Sequence, residues 1–429
     1  MAIPDPSFAG YPLVDIRERF PALRITDNGV PRIYFDNPAG TQVTDSVVDA
    51  MRDCLVESNA NVGGGFETSN RADQVIADAH LAMADFLNAA SSEEIVFGQN
   101  MTTLTLHLSR SLGRRFEAGD EIILSRMCHD ANVSPWLLLA EDLGLTVRWF
   151  EFNTETFEYE IDKLPSLIND RTKLICIGGA SNLLGTINDI AAVTAIARDA
   201  GVMTYIDAVQ LAPHVAIDVQ ALGCDFLVCS AYKFFGPHQG ILYGRKAVLE
   251  ALEPYKVRPA SAALPWAFET GTQSHEGMAG TAAAVDYFAW IGESFAHDYQ
   301  AANTAYPGRR GHIRAALQYL FDYETTLSAK LVDGLQAFKS VKIQGISDLA
   351  AFERRVPTVA FTVKGKEPAA IARELAGRNM FVWSGHNYAL EVGEALDINK
   401  DGGAVRVGPV HYNSVAEIDR LLSALEEIL

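Results

Sequence analysis

Short apolar runs alternate with amphipathic segments of helical length between about residues 93 and 248. The apolar runs predict strands at Glu94–Phe97, Glu121–Leu124, Val147–Phe150, Lys173–Ile177, Met203–Ile206 and Phe226–Cys229. Helix-length segments, such as Ile190–Ala200, lie between most of these runs. This alternation is typical of a mostly parallel sheet covered by helices on both faces. It predicts an α/β fold whose ligands bind beyond the carboxyl ends of the strands.

Helical spacing continues outside this region. Asn70–Asn88 has apolar residues every three or four positions, which predicts an amphipathic helix. Near the C-terminus, Ser414–Glu417 has the sequence of a capping box and precedes an apolar stripe formed by Ile418, Leu421, Leu422, Leu425 and Ile428. Thr358–Val363 reads as a further strand. The sequence therefore predicts a smaller C-terminal α+β domain, with Pro307–Arg310 as its hinge.

The composition narrows the functional class. The 429 residues include 48% hydrophobic residues and carry a net charge of −19, which indicates a globular protein and argues against nucleic-acid or anionic membrane partners. No apolar run is long enough to cross a bilayer, and the opening MAIPDPSFAG lacks a signal-peptide pattern. Five scattered cysteines without a CxxC pair suit a reducing compartment. We expect a cytoplasmic protein without a metal site.

A carboxylate and an amine follow two of the predicted strands. Asp207 ends one strand, and Lys233 follows another and enters a loop rich in glycine and proline. A lysine in such a place commonly extends to solvent. Together, however, the two residues supply what pyridoxal phosphate (PLP) needs: an amine for a Schiff base, and an acid that keeps the pyridine nitrogen protonated. No P-loop, GxSxG, HExxH or dinucleotide-binding turn competes with this interpretation.

A phosphate group would need its own binding site. The segment from Phe97 to Thr103 runs from a strand into a helix, where free N–H groups and the helix dipole favour an anion. Thr102 adds a hydroxyl there, and Ser230 could supply another. An ordinary Asn/Thr helix cap explains the same segment equally well.

Several motifs occur together in the order typical of one enzyme family. They are Tyr34–Thr41, Cys128–Trp136, Ser181–Thr186, Asp207 with Gln210, Ser230 with Lys233, Glu269–Thr272 and Val405–Asn413. With these motifs the chain resembles, over nearly its whole length, the class V PLP enzymes of fold type I in the cysteine desulfurase and selenocysteine lyase group. The resemblance implies a large PLP-binding domain at residues 43–300 and a small domain at 301–429. It also implies that residues 1–42 pack against the small domain.

The resemblance implies a cofactor role for each matching residue. Lys233 would be the Schiff-base lysine and proton shuttle, and His129 would lie flat over the pyridine ring. Asp207 would pair with the ring nitrogen, and Gln210 would hydrogen-bond the ring oxygen. The phosphate would be held by the Met101 backbone, Thr102, Ser230 and Tyr232, the last of which stands where the family commonly has histidine.

The same resemblance implies substrate and subunit contacts. Asn182 and Arg406 would hold the substrate carboxylate, and His386 would also contact the substrate. On its own, an arginine such as Arg406 is more often a surface charge. Thr272 would reach the phosphate in the neighbouring subunit, which implies a homodimer with shared sites and a small-molecule amino acid as substrate.

One departure from the family pattern bears on function. Desulfurases carry a cysteine after an R-x-G-H-H run, and its thiolate attacks the substrate sulfur to become a persulfide. Here the run reads Trp383-Ser-Gly-His-Asn-Tyr388, and no cysteine follows Cys229. Cys128 lies beside His129 but in a position that looks structural. In the Tyr388 segment and in Val405–Asn413, the chain resembles a branch of the family that lacks the persulfide cysteine.

Three functions remain open at the level of sequence. The first is β-elimination by a carbon–sulfur lyase that acts at Cα and Cβ of an amino acid. The second is transamination or epimerisation on the same scaffold. The third is a non-catalytic binding or regulatory protein with this fold. The retained Lys233, Asp207 and His129 favour an enzyme.

Overall fold

A computed structural model describes residues 10–429. Its strands are β1 (Thr26–Asp27), β2 (Val30–Pro31), β3 (Ile33–Tyr34), β4 (Ile95–Gly98), β5 (Glu121–Ser125), β6 (Thr146–Phe150), β7 (Thr172–Gly178), β8 (Met203–Asp207), β9 (Phe226–Ser230), β10 (Gly240–Gly244), β11 (Val341–Gln344), β12 (Val359–Val363), β13 (Met380–Phe381), β14 (Trp383–Gly385) and β15 (Ala404–Val407). The α-helices are α1 (Leu13–Glu18), α2 (Asp45–Glu57), α3 (Glu67–Leu87), α4 (Met101–Gly113), α5 (Ser134–Leu143), α6 (Leu164–Leu167), α7 (Ile190–Asp199), α8 (Val219–Leu222), α9 (Lys246–Glu250), α10 (His275–Phe295), α11 (His297–Gln300), α12 (Arg309–Gln336), α13 (Pro368–Ala376), α14 (Leu390–Ala395) and α15 (Val415–Ile428). No helix in this range combines the length and hydropathy needed to cross a bilayer.

A seven-stranded sheet forms the centre of the molecule. Its strand order is β4-β10-β9-β8-β7-β5-β6, and β10 alone runs antiparallel to its neighbours β9 and β4. The pairs from β9 to β6 are all parallel. All six strands predicted from apolar runs belong to this sheet, so the predicted mixed, mostly parallel α/β architecture is confirmed.

Successive side chains of the central strands lie alternately in two separate apolar layers, one on each face of the sheet. Along β7, Ile175 and Ile177 lie in one buried cluster, whereas Leu174 and Cys176 lie in the other. Successive residues of a strand point to opposite faces, so a strand with helices on both sides must be apolar throughout. This explains why the predicted strands read as unbroken apolar runs.

A smaller antiparallel sheet lies in the C-terminal part, with the order β11-β12-β15-β14. The final helix α15 covers it, and the predicted capping box is present: Ser414 Oγ accepts from Glu417 N at 3.1 Å, and Glu417 Oε2 accepts from Ser414 N at 3.0 Å. A smaller C-terminal domain is therefore confirmed, whereas its boundary at residue 301 stays a prediction.

The opening segment contacts this smaller domain. β3 pairs in parallel with β13, and Asn37 Nδ2 donates to the Gly408 carbonyl at 2.6 Å. The ring of Tyr11 stacks on that of Tyr323, with centroids 3.5 Å apart. Residues within 10–42 therefore contact the smaller domain, while the assignment of 1–42 as one segment stays a prediction and residues 1–9 lie outside the described range.

The long helix α12 joins the two parts. Ile313 and Leu320, in its first half, pack in the core beneath the seven-stranded sheet. Leu327 and Leu335, in its second half, pack in the core of the smaller domain. One continuous helix therefore contributes to both cores.

Candidate active site

A cavity of about 550 Å³ opens at the carboxyl ends of the central strands. Three parts of the chain meet there: the opening segment, the loops after the central strands, and the segment around β14 and β15. Its lining residues are Asp36, Pro38, Ala39, Gly40, Asn100, Met101, Thr102, His129, Ala131, Gly178, Ala180, Asn182, Asp207, Val209, Gln210, Ser230, Tyr232, Lys233, Trp383, Asn387, Tyr388 and Arg406. Such a position is where open α/β sheets bind ligands.

Lys233 lies inside this cavity rather than at its rim. The residue ends a short 3-10 helix after β9, and only 8% of its surface is exposed. Burial is the main reason that the Lys233 pKa falls to about 7, and the positive charge of Arg406 lowers it further. Because the amine is largely desolvated, the alternative of a lysine that extends to solvent is wrong. Near neutral pH a substantial fraction of this amine is unprotonated.

Asp207 is the last residue of β8 and is also buried. Its Oδ1 accepts a hydrogen bond from Val209 N at 2.9 Å, which fixes the carboxyl group at the cavity wall. Desolvation raises the Asp207 pKa to about 6, although the Val209 hydrogen bond and Lys233 both act in the opposite direction. A cationic ring beside this carboxyl would compensate the burial of its charge.

His129 faces the cavity as a neutral ring. Its Nδ1 accepts from Ala131 N at 3.0 Å, so the ring caps a short 3-10 helix and carries its proton on Nε2. Burial lowers the His129 pKa to about 3, helped by the charges of Lys233 and Arg406. The ring of Tyr388 lies nearly parallel to it, at 13°, with centroids 5.3 Å apart.

Hydrogen-bond donors that could bind an anion lie together at the N-terminus of α4. Asn100 caps this helix by accepting from Thr103 N at 2.9 Å, and Met101 N donates to Ser230 Oγ at 3.2 Å. The Thr102 N–H, in the first helical turn, has no intrahelical acceptor, and the Ser230 hydroxyl keeps its own proton to donate. Gly240 permits this arrangement, because a Cβ there would lie 2.4 Å from the Asn100 carbonyl carbon. The helix cap and the anion cradle thus coexist.

Asn182 and Arg406 form a buried polar pair at the opposite side. Arg406 Nη1 donates to the Asn182 carbonyl at 2.9 Å, while Arg406 Nε and Asn182 Oδ1 are buried without a partner. Desolvation lowers the Arg406 pKa to about 10, so the group still carries its charge at neutral pH. The unpaired Nε of Arg406 is a donor and suits a ligand carboxylate. The unpaired Asn182 Oδ1 is an acceptor, and Asn182 Nδ2 already donates to the Asn387 carbonyl, so the predicted carboxylate contact fits Arg406 but not Asn182 in this arrangement.

Two residues assigned from the resemblance lie elsewhere in the described chain. Thr272 lies beside Gln99 and Gln273 in a separate surface cavity. His386 is exposed and does not line the cavity, and its Nδ1 accepts from Tyr388 N at 2.9 Å. The structure of one chain therefore brings together the remaining candidates but not these two.

Sequence reasoning gave no role to several residues that line the cavity. Asp36 Oδ1 is buried without a partner, and burial raises the Asp36 pKa. The Pro38 carbonyl accepts from Lys233 Nζ at 2.5 Å and from Gln210 Nε2 at 2.7 Å. The motif Tyr34–Thr41 was the available signal, but the family pattern does not reveal which backbone carbonyl faces the amine.

The comparisons with known proteins agree with this geometry. The family model described as Aminotransferase class-V matches residues 33–310 and 313–421. A cysteine desulfurase of Yersinia pestis (strain Pestoides F) is 31% identical over 433 residues, covering 97% of this chain and 98% of that protein.

Solved structures give the same result. The apo cysteine desulfurase from Thermococcus onnurineus NA1 has a TM-score of 0.84 at 28% identity, covering 100% of this chain and 98% of that one. The cysteine desulfurase CsdA from Escherichia coli, in an S-sulfonic acid form, has a TM-score of 0.81 at 25% identity, covering 97% and 98%.

Fold and site together define a PLP-dependent enzyme of fold type I. The chain belongs to the class-V aminotransferase family, in its cysteine desulfurase-like group, and the resemblance found in the sequence is confirmed.

The residues that line the cavity fit PLP. Lys233 offers an amine that is partly unprotonated near neutral pH, and Asp207 offers a buried carboxyl group. Ser230, Thr102 and the start of α4 offer hydrogen-bond donors for a phosphate. These groups lie on different loops around one cavity, as a cofactor with both a ring and a phosphate requires.

Proposed function

We propose that the enzyme is a carbon–sulfur lyase that catalyses β-elimination on an amino acid and uses no persulfide cysteine. The observation that carries this proposal is Tyr388, which lines the cavity in the segment where desulfurases are expected to present their cysteine. A tyrosine cannot accept a sulfur atom. Elimination releases sulfur without a protein acceptor.

No cysteine thiol of the described residues is placed for sulfur transfer in this cavity. All five cysteines fall within the described residues, all are buried, and none lines the cavity. Burial raises the pKa of Cys128 to about 12, with a further contribution from the charge of Asp207. A thiol held in this protonated state is a poor nucleophile.

Each cavity residue would have a defined task. PLP, when bound, supplies an electron sink for negative charge at the substrate Cα. Arg406 would hold the substrate carboxylate, and Asn182 would add its amide oxygen toward the substrate amine. Lys233 Nζ would take the proton from Cα, for which a pKa near neutrality is favourable. Asp207 would hold a positive charge on the cofactor, and His129 would cover the ring as a neutral group.

The overall reaction balances without an oxidant. With cysteine, the Cα–H and Cβ–S bonds break, and the sulfur leaves with the bonding electrons and takes up a proton as hydrogen sulfide. The remaining unsaturated amine adds water and yields pyruvate and ammonia.

We further propose a homodimer in which Thr272 completes the phosphate site of the neighbouring subunit. Thr272 is exposed and lies outside the cavity of its own chain. A dimer interface would therefore be needed for it to reach a phosphate. The domain bounds and a cytoplasmic location stay predictions.

Product analysis tests the proposed reaction. The PLP-loaded enzyme is incubated with L-cysteine and other amino acids that carry a leaving group at Cβ, and pyruvate, sulfide, alanine and D-amino acids are measured. Elimination yields equal amounts of pyruvate and sulfide from L-cysteine, and equal amounts of pyruvate and the released Cβ group from the other substrates. Alanine with protein-bound sulfur would indicate persulfide chemistry, a sulfur-retaining keto acid would indicate transamination, and a D-amino acid would indicate epimerisation.

A cysteine variant provides the matched control. Cys128→Ala removes the thiol nearest to His129 in sequence and is expected to keep full activity. A loss of sulfide release in this variant, with an unchanged circular dichroism spectrum, would contradict the proposal.

A further inference from the structure

Trp383 and Arg406 are neighbours across two strands of the smaller sheet. They lie directly opposite each other in the antiparallel pair β14–β15, so their side chains project from the same face. Arg406 is buried, whereas Trp383 is 50% exposed, and both line the cavity. The cationic group therefore lies deep in the cavity and the indole lies near its mouth.

Tyr388 provides a second aromatic surface at the same mouth. Its side chain is 62% exposed although one face of the ring stacks on His129. Contiguous exposed apolar surface at the mouth of a cavity commonly marks a ligand-binding groove. The departure from the family pattern at both positions, 383 and 388, thus replaces polar chemistry with apolar surface.

The segment that carries these rings is fixed in place. The Asn387 carbonyl accepts from Asn182 Nδ2 at 2.7 Å, and the Tyr388 carbonyl accepts from Asp130 N at 2.7 Å. Asn387 and Tyr388 both have left-handed backbone conformations, with φ of 51° and 56°. Non-glycine residues in this region concentrate at ligand-binding segments. A rigid aromatic surface binds with a smaller entropic cost than a mobile one.

We propose that Trp383 and Tyr388 determine substrate specificity by binding an aromatic or large alkyl group on the substrate sulfur, so that the substrate class is S-substituted cysteine thioethers. This inference rests on the proposed β-elimination. Arg406 takes the carboxylate end of the substrate, and the S-substituent extends toward the mouth. Elimination suits a thioether, because its sulfur already carries a carbon group and needs no acceptor.

The reaction on a thioether balances in the same way as with cysteine. The Cα proton passes to Lys233 Nζ, and the Cβ–S bond breaks with its electron pair moving to sulfur. The sulfur takes a proton and leaves as a thiol that keeps its organic substituent. Addition of water to the three-carbon product then releases pyruvate and ammonia.

Binding without turnover tests the specificity. S-benzyl-α-methyl-L-cysteine and S-methyl-α-methyl-L-cysteine have no Cα hydrogen, so the PLP-loaded enzyme binds them without elimination, and calorimetry gives both Kd values. We expect the benzyl compound to bind about tenfold more tightly or better. In Trp383→Ala and Tyr388→Ala this ratio should fall to threefold or less. Tyr255→Ala, which removes an exposed aromatic outside the cavity, should keep the wild-type ratio.

Two results would overturn the inference. One is equal affinity for both compounds in the wild-type enzyme, and the other is a wild-type ratio in folded Trp383→Ala or Trp383→Gln, with folding checked by circular dichroism. Turnover of S-benzyl-L-cysteine distinguishes the lyase function from the substrate specificity. A strong benzyl preference without release of benzyl thiol and pyruvate would reject the lyase function but keep the aromatic site. Elimination of cysteine without a benzyl preference would reject only the specificity.

Discussion

Lys233 donates a hydrogen bond to the carbonyl oxygen of Pro38, 2.5 Å from its Nζ. The same oxygen accepts from Gln210 Nε2 at 2.7 Å. One carbonyl thereby connects the opening segment to the loops after β8 and β9. The opening segment is therefore part of the wall of the active site. Its Pro38 carbonyl also holds the Lys233 amine in a defined direction.

Replacing Lys233 is expected to abolish activity without unfolding the protein. Lys233→Ala removes the proposed proton acceptor, and such groups typically contribute about 10²- to 10⁴-fold to rate. Folding should persist because the variant removes an amine whose burial is unfavourable for its charge. Activity, circular dichroism and peptide mass spectrometry after borohydride treatment with PLP check this. Lys364→Ala, at an exposed lysine, is the control, and full activity of Lys233→Ala would refute the mechanism.

The pH dependence of cofactor attachment should reflect the lowered Lys233 pKa. Attachment requires the unprotonated amine, so its rate in PLP-free enzyme should rise with pH around 7 and level off above it. Arg406→Gln should shift this midpoint upward, because the Arg406 charge lowers the Lys233 pKa. Asp36→Asn should shift it downward, because the negative charge of Asp36 raises that pKa. Stopped-flow absorbance from pH 5.5 to 10 measures the midpoints, and a rate that still rises to pH 10 in the wild type would contradict the assignment.

Arg406→Ala should impair substrate binding far more than cofactor binding. The guanidinium has a buried Nε without a partner, and a hydrogen bond to a charged group contributes about 1.5–3 kcal/mol. We therefore expect KM to rise at least about tenfold, with a much smaller change in the Kd for PLP. Steady-state kinetics and PLP titration separate the two effects. Arg373→Ala, at an exposed arginine of the smaller domain, serves as the matched control.

Asp207→Asn should change how stability depends on pH in the PLP-free protein. The Asp207 pKa is raised in the folded state to about 6 from 3.8, so the folded protein holds this proton more tightly than the unfolded chain. That contribution to stability is full below the unfolded pKa and is lost as pH rises through 6. Asparagine has no such loss, so the variant should gain stability relative to wild type between pH 4 and pH 7.5. Urea unfolding across this range measures the difference.

His129→Phe gives the opposite sign in the same experiment. The folded pKa of His129 is lowered to about 3 from 6.5, so its contribution is present above 6.5 and is lost as pH falls toward 3. Phenylalanine removes this dependence, and the variant should gain relative stability as pH falls. If the stability of both variants followed the same pH profile as that of the wild type, neither Asp207 nor His129 would have the assigned pKa shift.

The regular part of the fold was predictable because burial on both faces leaves a readable pattern. β4 to β9 and α7 follow apolar runs and helical spacing in the sequence. The sequence pattern does not predict β10, by contrast, because Gly240–Gly244 begins and ends in glycine and directly follows a stretch rich in glycine and proline. β3 and β13 are two residues each, and their pairing joins segments more than 300 residues apart, which no local pattern records.

Site residues could be predicted from the sequence where a reactive side chain ends a strand or closely follows one. Asp207 and Ser230 end strands, and Lys233 follows one closely, so the geometry of a parallel sheet already brings them to one edge. Asp36 and Pro38 come from the opening segment, and only the tertiary fold places them there. His386 shows the limit of residue matching, since its neighbours Trp383 and Tyr388, rather than its own ring, line the cavity.

The continuity of α12 sets how the enzyme can exchange its ligands. Arg309 and Arg310 at its start both pair with Asp85 at 2.8 Å, which fastens the helix to α3. A swing of the smaller domain about these residues would break those pairs and pull the first half of α12 out of its core. We therefore expect ligands to enter and leave through the open mouth between Trp383 and Tyr388 without a swing of the smaller domain, so that the same two rings govern both access to the cavity and the choice of ligand.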